Sequence, residues 1–304
     1  MDNLDFFRVN TREYQPDTDY WVTRRASINH PKDHSVMFIS KNYPQYRNIF
    51  FSVSKCLIFW PLEWDIPAEI AGKNAVVPCE NPHLAYGKFF AAHQITGLYQ
   101  PEQYQFVNGA FIAKTAKIGM NTTIFPGVYI GGEVIIGDRC FIGAGVKIVG
   151  RVRIGNRVWI RENTVIGTDG LSTDRDEDGH PVEIPQFGGV IIEDDVKIGA
   201  NTVIQRGAID DTILQKGCKI DGQTFIAHNV QIGQETFIVG ETFLLGSASV
   251  GEQSQISAGC VFGNYVHAGS RTLVGMGSVA TKDIPDNCVA YGIPAKPIRK
   301  RFEE

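Results

Sequence analysis

Ten isoleucines recur at a spacing of six without a break: Ile112, Ile118, Ile124, Ile130, Ile136, Ile142, Ile148, Ile154, Ile160 and Ile166. An α-helical face repeats every 3.6 residues and a flat strand every 2, so neither produces a strict hexad. A left-handed parallel β-helix does, because each coil is a triangular turn of three hexads whose every sixth residue points into the prism. Gly follows the isoleucine at 119, 131, 137, 143, 155 and 167, which suits a corner needing unusual backbone angles. The phase breaks and resumes through Ile192, Ile198 and Ile204. It resumes again through Leu214, Ile220, Ile226, Ile232, Ile238, Leu244, Val250, Ile256, Phe262, Ala268 and Val274. Two interruptions result, one of about twenty residues (Gly167 to Gly189) and one of four extra residues around Arg206–Asp211. Loops pushed out of a regular solenoid usually sit on its binding face.

The first hundred residues carry no hexad. Short apolar runs (SVMFIS, KCLIFW, NAVVP) are separated by Pro and Asp, and NPHLAYGKFFAAHQI reads as a helix burying Leu84, Phe89 and Phe90. The pattern predicts a mainly β chain: a small α/β or α+β domain over 1–98, a left-handed β-helix over 99–280 with a loop insertion at 167–189, and a tail over 281–304. Phe38, Tyr43 and Tyr46 fall in MFISKNYPQY, where Asn and Pro suggest a loop. Flat rings on a loop can stack a nucleobase.

Composition narrows the class. The net charge of −4 gives no reason to expect nucleic acid as a partner. No window reaches the ~18 apolar residues of a membrane span, and the acidic opening MDNLDFFRVN is unlike a signal peptide. Cys140, Cys218 and Cys260 each lie four residues after a hexad position, the other inward slot, and read as core plugs. Cys56, Cys79 and Cys288 show no metal spacing, so no metal is expected, and reduced thiols point to the cytoplasm.

Candidate chemistry concentrates in the third run. His228, in FIAHNVQIG, takes the second slot after Ile226, at a corner where Gly would be usual. One coil later Gly246 stacks on the same edge. A general base beside a bare backbone N–H suits acyl transfer, the N–H binding the oxyanion that develops on a thioester carbonyl. Asp221 lies seven residues before His228, about one triangle side away. That side spans roughly 15 Å at 3.3 Å per strand residue, so the two can cooperate only between subunits. Asp210 and Asp211 sit in the four-residue interruption, and His267 and His180 have no identifiable partner. The carboxylates of DRDEDGH read as a solvated loop, and Lys296, Arg299, Lys300 and Arg301 form a cluster that either holds coenzyme A phosphates or merely solubilises the end.

The stretch IPQFGGVIIEDDVKIGANTVIQRGAIDDT, followed by KIDGQTFIAHNVQIG, resembles the UDP-3-O-acylglucosamine N-acyltransferases of lipid A synthesis, and MFISKNYPQYR with ENPHLAYGKFF resembles that family's uridine-binding module. The resemblance implies His228 as general base, the Gly246 amide as oxyanion donor and Asp221 as supporting acid. It implies Phe38, Asn42 and Tyr46 as the nucleotide-binding set, with Phe38 and Tyr46 around uracil. It further implies a homotrimer with active sites between neighbouring prisms, and acyl carrier protein as donor. Three departures stand against this: Gly222 where the family commonly has Asn, no His at Asn264 or Tyr265, and a different ending. That ending, VGMGSVATKDIPDNCVAYGIPAKPIRKR, is similar to hexapeptide acetyltransferases, which implies that Gly275, Gly277, Ser278, Pro294, Lys296 and Arg299 border an acyl-CoA. The expectation is therefore an N-acyltransferase acting on a nucleotide-linked amino sugar, UDP or dTDP, with short-chain acyl-CoA as co-substrate, serving O-antigen or other surface glycans. The alternatives are the lipid A N-acyltransferase using acyl carrier protein, and a non-catalytic nucleotide-sugar binder or scaffold.

Overall fold

The computed structural model describes residues 7–96 and 102–302. The chain divides into two compact units, one built from the described part of residues 1–97 with 171–186, the other from the described parts of 98–170 and 187–304.

Among the described residues the larger unit is a coil of three sheets of ten, eight and ten strands, parallel except for one antiparallel strand at an end of each ten-stranded sheet. The first face includes Tyr129–Ile130, Phe225–Ile226 and Phe243–Leu244. The second includes Gln231–Ile232, Ser249–Val250 and His267–Ala268, and the third Lys219–Ile220 and Phe237–Ile238. Each hexad residue pairs with its equivalent one coil on: Ile142 with Ile160, Ile160 with Ile198, Ile198 with Ile220, and Ile220 with Ile238. These side chains form one continuous buried column, as the hexad predicts. The register also measures both interruptions. Trp159 pairs with Lys197, thirty-eight residues on instead of eighteen, and Lys197 with Lys219, twenty-two residues on. From Lys219 to Phe237 the spacing is eighteen again.

The second inward slot is small and often polar, and several of its donors are spent inside the prism. Thr164 Oγ1 donates to the Gly199 carbonyl at 2.8 Å, Thr236 Oγ1 to that of Gly251 at 2.7 Å, and the Cys260 thiol to that of Gly275 at 3.2 Å. A buried hydroxyl without such a partner would be costly. Cys140, Cys218 and Cys260 are all buried here, and burial pushes the Cys218 thiol up to about 12.

The corners differ from the sequence expectation. Of the glycines that follow the isoleucines, only Gly167 has a left-handed φ, +89°. The left-handed residue is instead the third after most hexad positions: Asn121, Arg139, Arg157, Asn163, Asn201, Gln223, Asn229 and Ser247 among others. The first-slot glycines answer a different need, close approach of the next coil. A Cβ on Gly199 would lie 2.3 Å from the Gly222 nitrogen and 2.6 Å from the Asp221 carbonyl carbon. Those atoms are backbone and cannot swing aside. Gly199→Ala is therefore expected to destabilise the coil by about 1–3 kcal/mol, the usual cost of overpacking. The urea midpoint of the variant measures it, and an unchanged midpoint would show that the coils separate more easily than their ladder suggests.

In the smaller unit, Arg24–Arg25, Ser35–Phe38, Leu57–Pro61 and Ala75–Cys79 form a four-stranded parallel sheet in that order. Leu57–Pro61 is buried at all five positions, as suits a central strand of a parallel sheet. The helix Pro82–Ala92 starts where Asn81 Oδ1 accepts from the Leu84 N–H at 3.1 Å and Pro82 follows at the first turn. Leu84, Phe89 and Phe90 are buried, as the sequence predicts. Phe38 is not on a loop: it ends the strand Ser35–Phe38, because SVMF is an apolar run that the sheet buries. Only residues 40–43 turn, and Pro44–Ser52 is a 3-10 helix.

Candidate active site

Both interruptions leave the coil at one corner, between the first and second faces. The longer follows the strand Val165–Thr168, and the shorter follows Val203–Gln205. One coil further on, the same corner carries His228, two residues after the strand Phe225–Ile226. The imidazole is half-buried. Gly246 stands against it on the next coil: a Cβ there would lie 2.5 Å from His228 Nε2 and 2.6 Å from Cε1. The Ser247 N–H donates to the His228 carbonyl at 2.9 Å, which fixes the two coils to each other. The Gly246 N–H donates to no group among the described residues. A base nitrogen and an uncommitted backbone donor thus share one corner.

Beneath the ring lies a braced loop. His228 Nδ1 is 3.1 Å from Asn229 Oδ1. Asn229 takes the corner's left-handed conformation (φ 61°), which Asn tolerates better than most residues. Asp211 is spent on structure: its carboxylate accepts from Arg151 Nη2 at 2.5 Å and from the Gly189 N–H at 2.7 Å. Arg206, nearly fully buried, ion-pairs with Asp169. These pairs and the backbone bonds Gly188 to Gly207 (2.9 Å) and Phe187 to Ala208 (2.7 Å) tie the two interruptions together. Arg151, Arg206 and Asn229 were not singled out from the sequence. The signal for Asn229 was available, since it occupies the third slot beside the one imidazole at a corner.

Asp221 lies at a different corner, between the third and first faces, with Oδ1 accepting from the Gly222 N–H at 2.7 Å. It is exposed and is not brought to His228 of the same chain. His267 accepts or donates at 2.9 Å to Ser249 Oγ, and its backbone N–H donates to Asp283, so it does have partners. In the smaller unit Phe38 packs on His83 (5.3 Å between centroids) and Tyr86 (4.9 Å), whereas Tyr46, exposed on the 3-10 helix, lies 6.2 Å from Tyr43. Asn42 is exposed on the turn between them. The acidic segment is no free loop but a hairpin, Thr173–Arg175 with Pro181–Glu183, packed within the smaller unit. Asp174 Oδ2 meets His83 Nδ1 and Asn81 Nδ2, each at 3.0 Å. Burial pushes the Asp174 carboxyl up, but the Arg175 N–H, His83 and Asn81 together hold it below the usual carboxylate range.

At the far end of the coil Cys288–Tyr291 and Lys296–Lys300 pair as an antiparallel hairpin on the third face. Lys296 and Arg299 are exposed there, and Pro294 follows a cis peptide bond in the connecting turn. Gly277 (φ +67°) has open space around its α-carbon, and Gly275 sits against Tyr291. The Ser278 hydroxyl is fully buried, donating to the Gly275 carbonyl at 2.6 Å and accepting from the Gly292 N–H at 3.1 Å. It therefore holds the turn and presents nothing to a ligand.

The coil is similar to those of the hexapeptide transferases. The pattern describing bacterial transferase hexapeptide (six repeats) matches residues 115–150. The fold is similar to that of a UDP-N-acetylglucosamine acyltransferase from Bacteroides fragilis, at 26% identity and a TM-score of 0.59 over 65% of this chain and 75% of that one. Its counterpart from Campylobacter jejuni, at 20% identity and a TM-score of 0.58 over 66% and 79%, shares the fold. The winding is thus the left-handed β-helix that the hexad predicts.

Within that class, the chain resembles the UDP-3-O-acylglucosamine N-acyltransferases. It is 58% identical to the one from Francisella tularensis over 79 residues, 26% of this chain and 23% of that protein. It is 41% identical to the one from Methylobacterium nodulans over 145 residues, 46% of this chain and 39% of that protein. The matched stretches span less than half the length of these relatives. No helix among the described residues is long and apolar enough to cross a membrane.

Proposed function

We propose that the chain is an N-acyltransferase that moves an acyl group from a thioester to the amine of a UDP-linked amino sugar, with UDP-3-O-acylglucosamine as the acceptor type. The observation that carries this reading is the corner itself, an imidazole with a bare backbone N–H one coil above it. The amine attacks the thioester carbonyl carbon, the C–N bond forms and the carbonyl oxygen takes up the electron pair beside the Gly246 N–H. His228 Nε2 accepts the proton released from the attacking nitrogen. As the tetrahedral intermediate collapses, the C–S bond breaks and the thiolate takes a proton from the imidazolium.

The names of the relatives favour this lipid A reading over the surface-glycan reading drawn from the C-terminal motif. The donor in the proposal is accordingly an acyl group on acyl carrier protein, with the exposed hairpin residues Lys296 and Arg299 facing solvent and no longer required to hold coenzyme A. Phe38, Asn42 and Tyr46 serve the nucleotide. A homotrimer completes the site, because Asp221 can support His228 only across a subunit boundary.

The test offers the full chain UDP-3-O-acylglucosamine with either acyl carrier protein thioester or acyl-CoA, and follows thiol release together with the mass of the sugar product. The expected result is one thiol per amide formed, with the carrier-protein donor preferred. Turnover with acyl-CoA alone would restore the short-acyl expectation. Binding of UDP without transfer from either donor would leave a nucleotide-sugar binder.

A further inference from the structure

Resting on the reading of His228 as general base, we propose that Asn229 is a positioning residue. Clamped by the four-residue interruption, it holds His228 in the one neutral tautomer that leaves Nε2 free to accept a proton. The argument turns on the orientation of one amide. Oxygen and nitrogen of an Asn side chain are usually told apart only by their surroundings. Here two backbone groups decide it. The Ala208 N–H can only donate, and it meets Oδ1 at 3.0 Å; the Asp210 carbonyl can only accept, and it meets Nδ2 at 2.9 Å. The Asn229 N–H in turn donates to Thr212 Oγ1 at 2.9 Å, which seats the residue on the coil below.

The atom presented to the imidazole is therefore an acceptor. His228 Nδ1, 3.1 Å away, must carry hydrogen to bond with it. A neutral imidazole has only one N–H, so Nε2 keeps its lone pair. Nε2 is also the ring atom nearest the space above Gly246 Cα, where the reaction is placed. In this light the interruption gains a purpose. A regular coil has no backbone group to orient Asn229, whereas the extra residues of 206–211 supply both the Ala208 N–H and the Asp210 carbonyl. Arg151 keeps that loop in place through Asp211.

The experiment labels the seven histidines with ¹⁵N and reads the two ring nitrogens of His228 in the full chain, without substrate, well above the pH at which imidazole is charged. Its signals are assigned by their loss in His228→Asn. The wild type is expected to show Nδ1 protonated and Nε2 bare. Asn229→Gly, which keeps the left-handed backbone while removing the amide, is expected to lose that preference. Its kcat should fall about 10²-fold, the scale of a misplaced catalytic group, with KM changed less than about threefold. Asn229→Asp, which retains an acceptor, should recover the tautomer and most of kcat. A wild-type Nε2–H tautomer, or a tautomer unmoved in Asn229→Gly, would overturn the proposal. Because the spectrum is recorded without turnover, it stands apart from the base assignment. If His228 proves dispensable for activity, that assignment fails whichever tautomer is observed.

Discussion

Replacing His228 by Ala is expected to lower kcat by about 10²–10⁴-fold, the contribution typical of a positioned general base. The amine of an amino sugar loses a proton as it attacks, and the imidazole of His228 stands at this corner to take it. Asp211 is committed to Arg151 and the Gly189 N–H, and Asp169 to Arg206. The ring is half-buried at a corner and fills no part of the prism, so its removal should leave stability nearly unchanged. Uridine nucleotide binding, assigned to the smaller unit, should persist. The measurement is steady-state acylation beside a binding isotherm for UDP. A loss of less than tenfold with UDP binding intact would remove His228 from the mechanism.

Gly246→Ala is the second large effect, expected to cost about 10²-fold in kcat. Its backbone is not in the left-handed region, so alanine brings no conformational strain. The added carbon would sit 2.5 Å from His228 Nε2, about 1 Å inside ordinary contact, and the ring is the part able to move. Moving it takes the proposed base away from the N–H with which it is proposed to cooperate. Melting should hardly shift, since displacing a half-exposed ring is cheap. Gly199→Ala makes the opposite case: its obstruction is backbone, so stability falls without any change at the corner. If Gly246→Ala retained activity within threefold, close pairing of ring and glycine would have no part in catalysis.

Much of the architecture was legible because a solenoid translates sequence period directly into space. Outside the two interruptions and the last coil, each hexad residue has its partner eighteen residues away, so the pattern defines the winding, the ladder and the length of both interruptions. The same arithmetic stacked Gly246 on His228, and the structure places them so. The glycine reading failed for a specific reason. A glycine can mark either a left-handed φ or a close approach, and composition does not distinguish them. At 119, 137, 155 and 199 it is the neighbouring coil that excludes a Cβ, while the left-handed turn falls two residues later on Asn or Arg. Phe38 was misplaced because a short apolar run before Asn and Pro reads equally as a strand end or a loop.

What the sequence alone determined is the periodic part: the coil, its two interruptions, and the corner where imidazole and glycine meet. These follow from local spacing, which a regular backbone carries into three dimensions without further information. Only the tertiary structure decided which groups those interruptions deliver. That Asp211 serves Arg151, that Asp174 meets His83 ninety-one residues away, and that Asn229 is turned by the Ala208 N–H and the Asp210 carbonyl are contacts between irregular segments. Such segments have no period. Their partners are set by where the packed coil and sheet leave donors and acceptors to be satisfied.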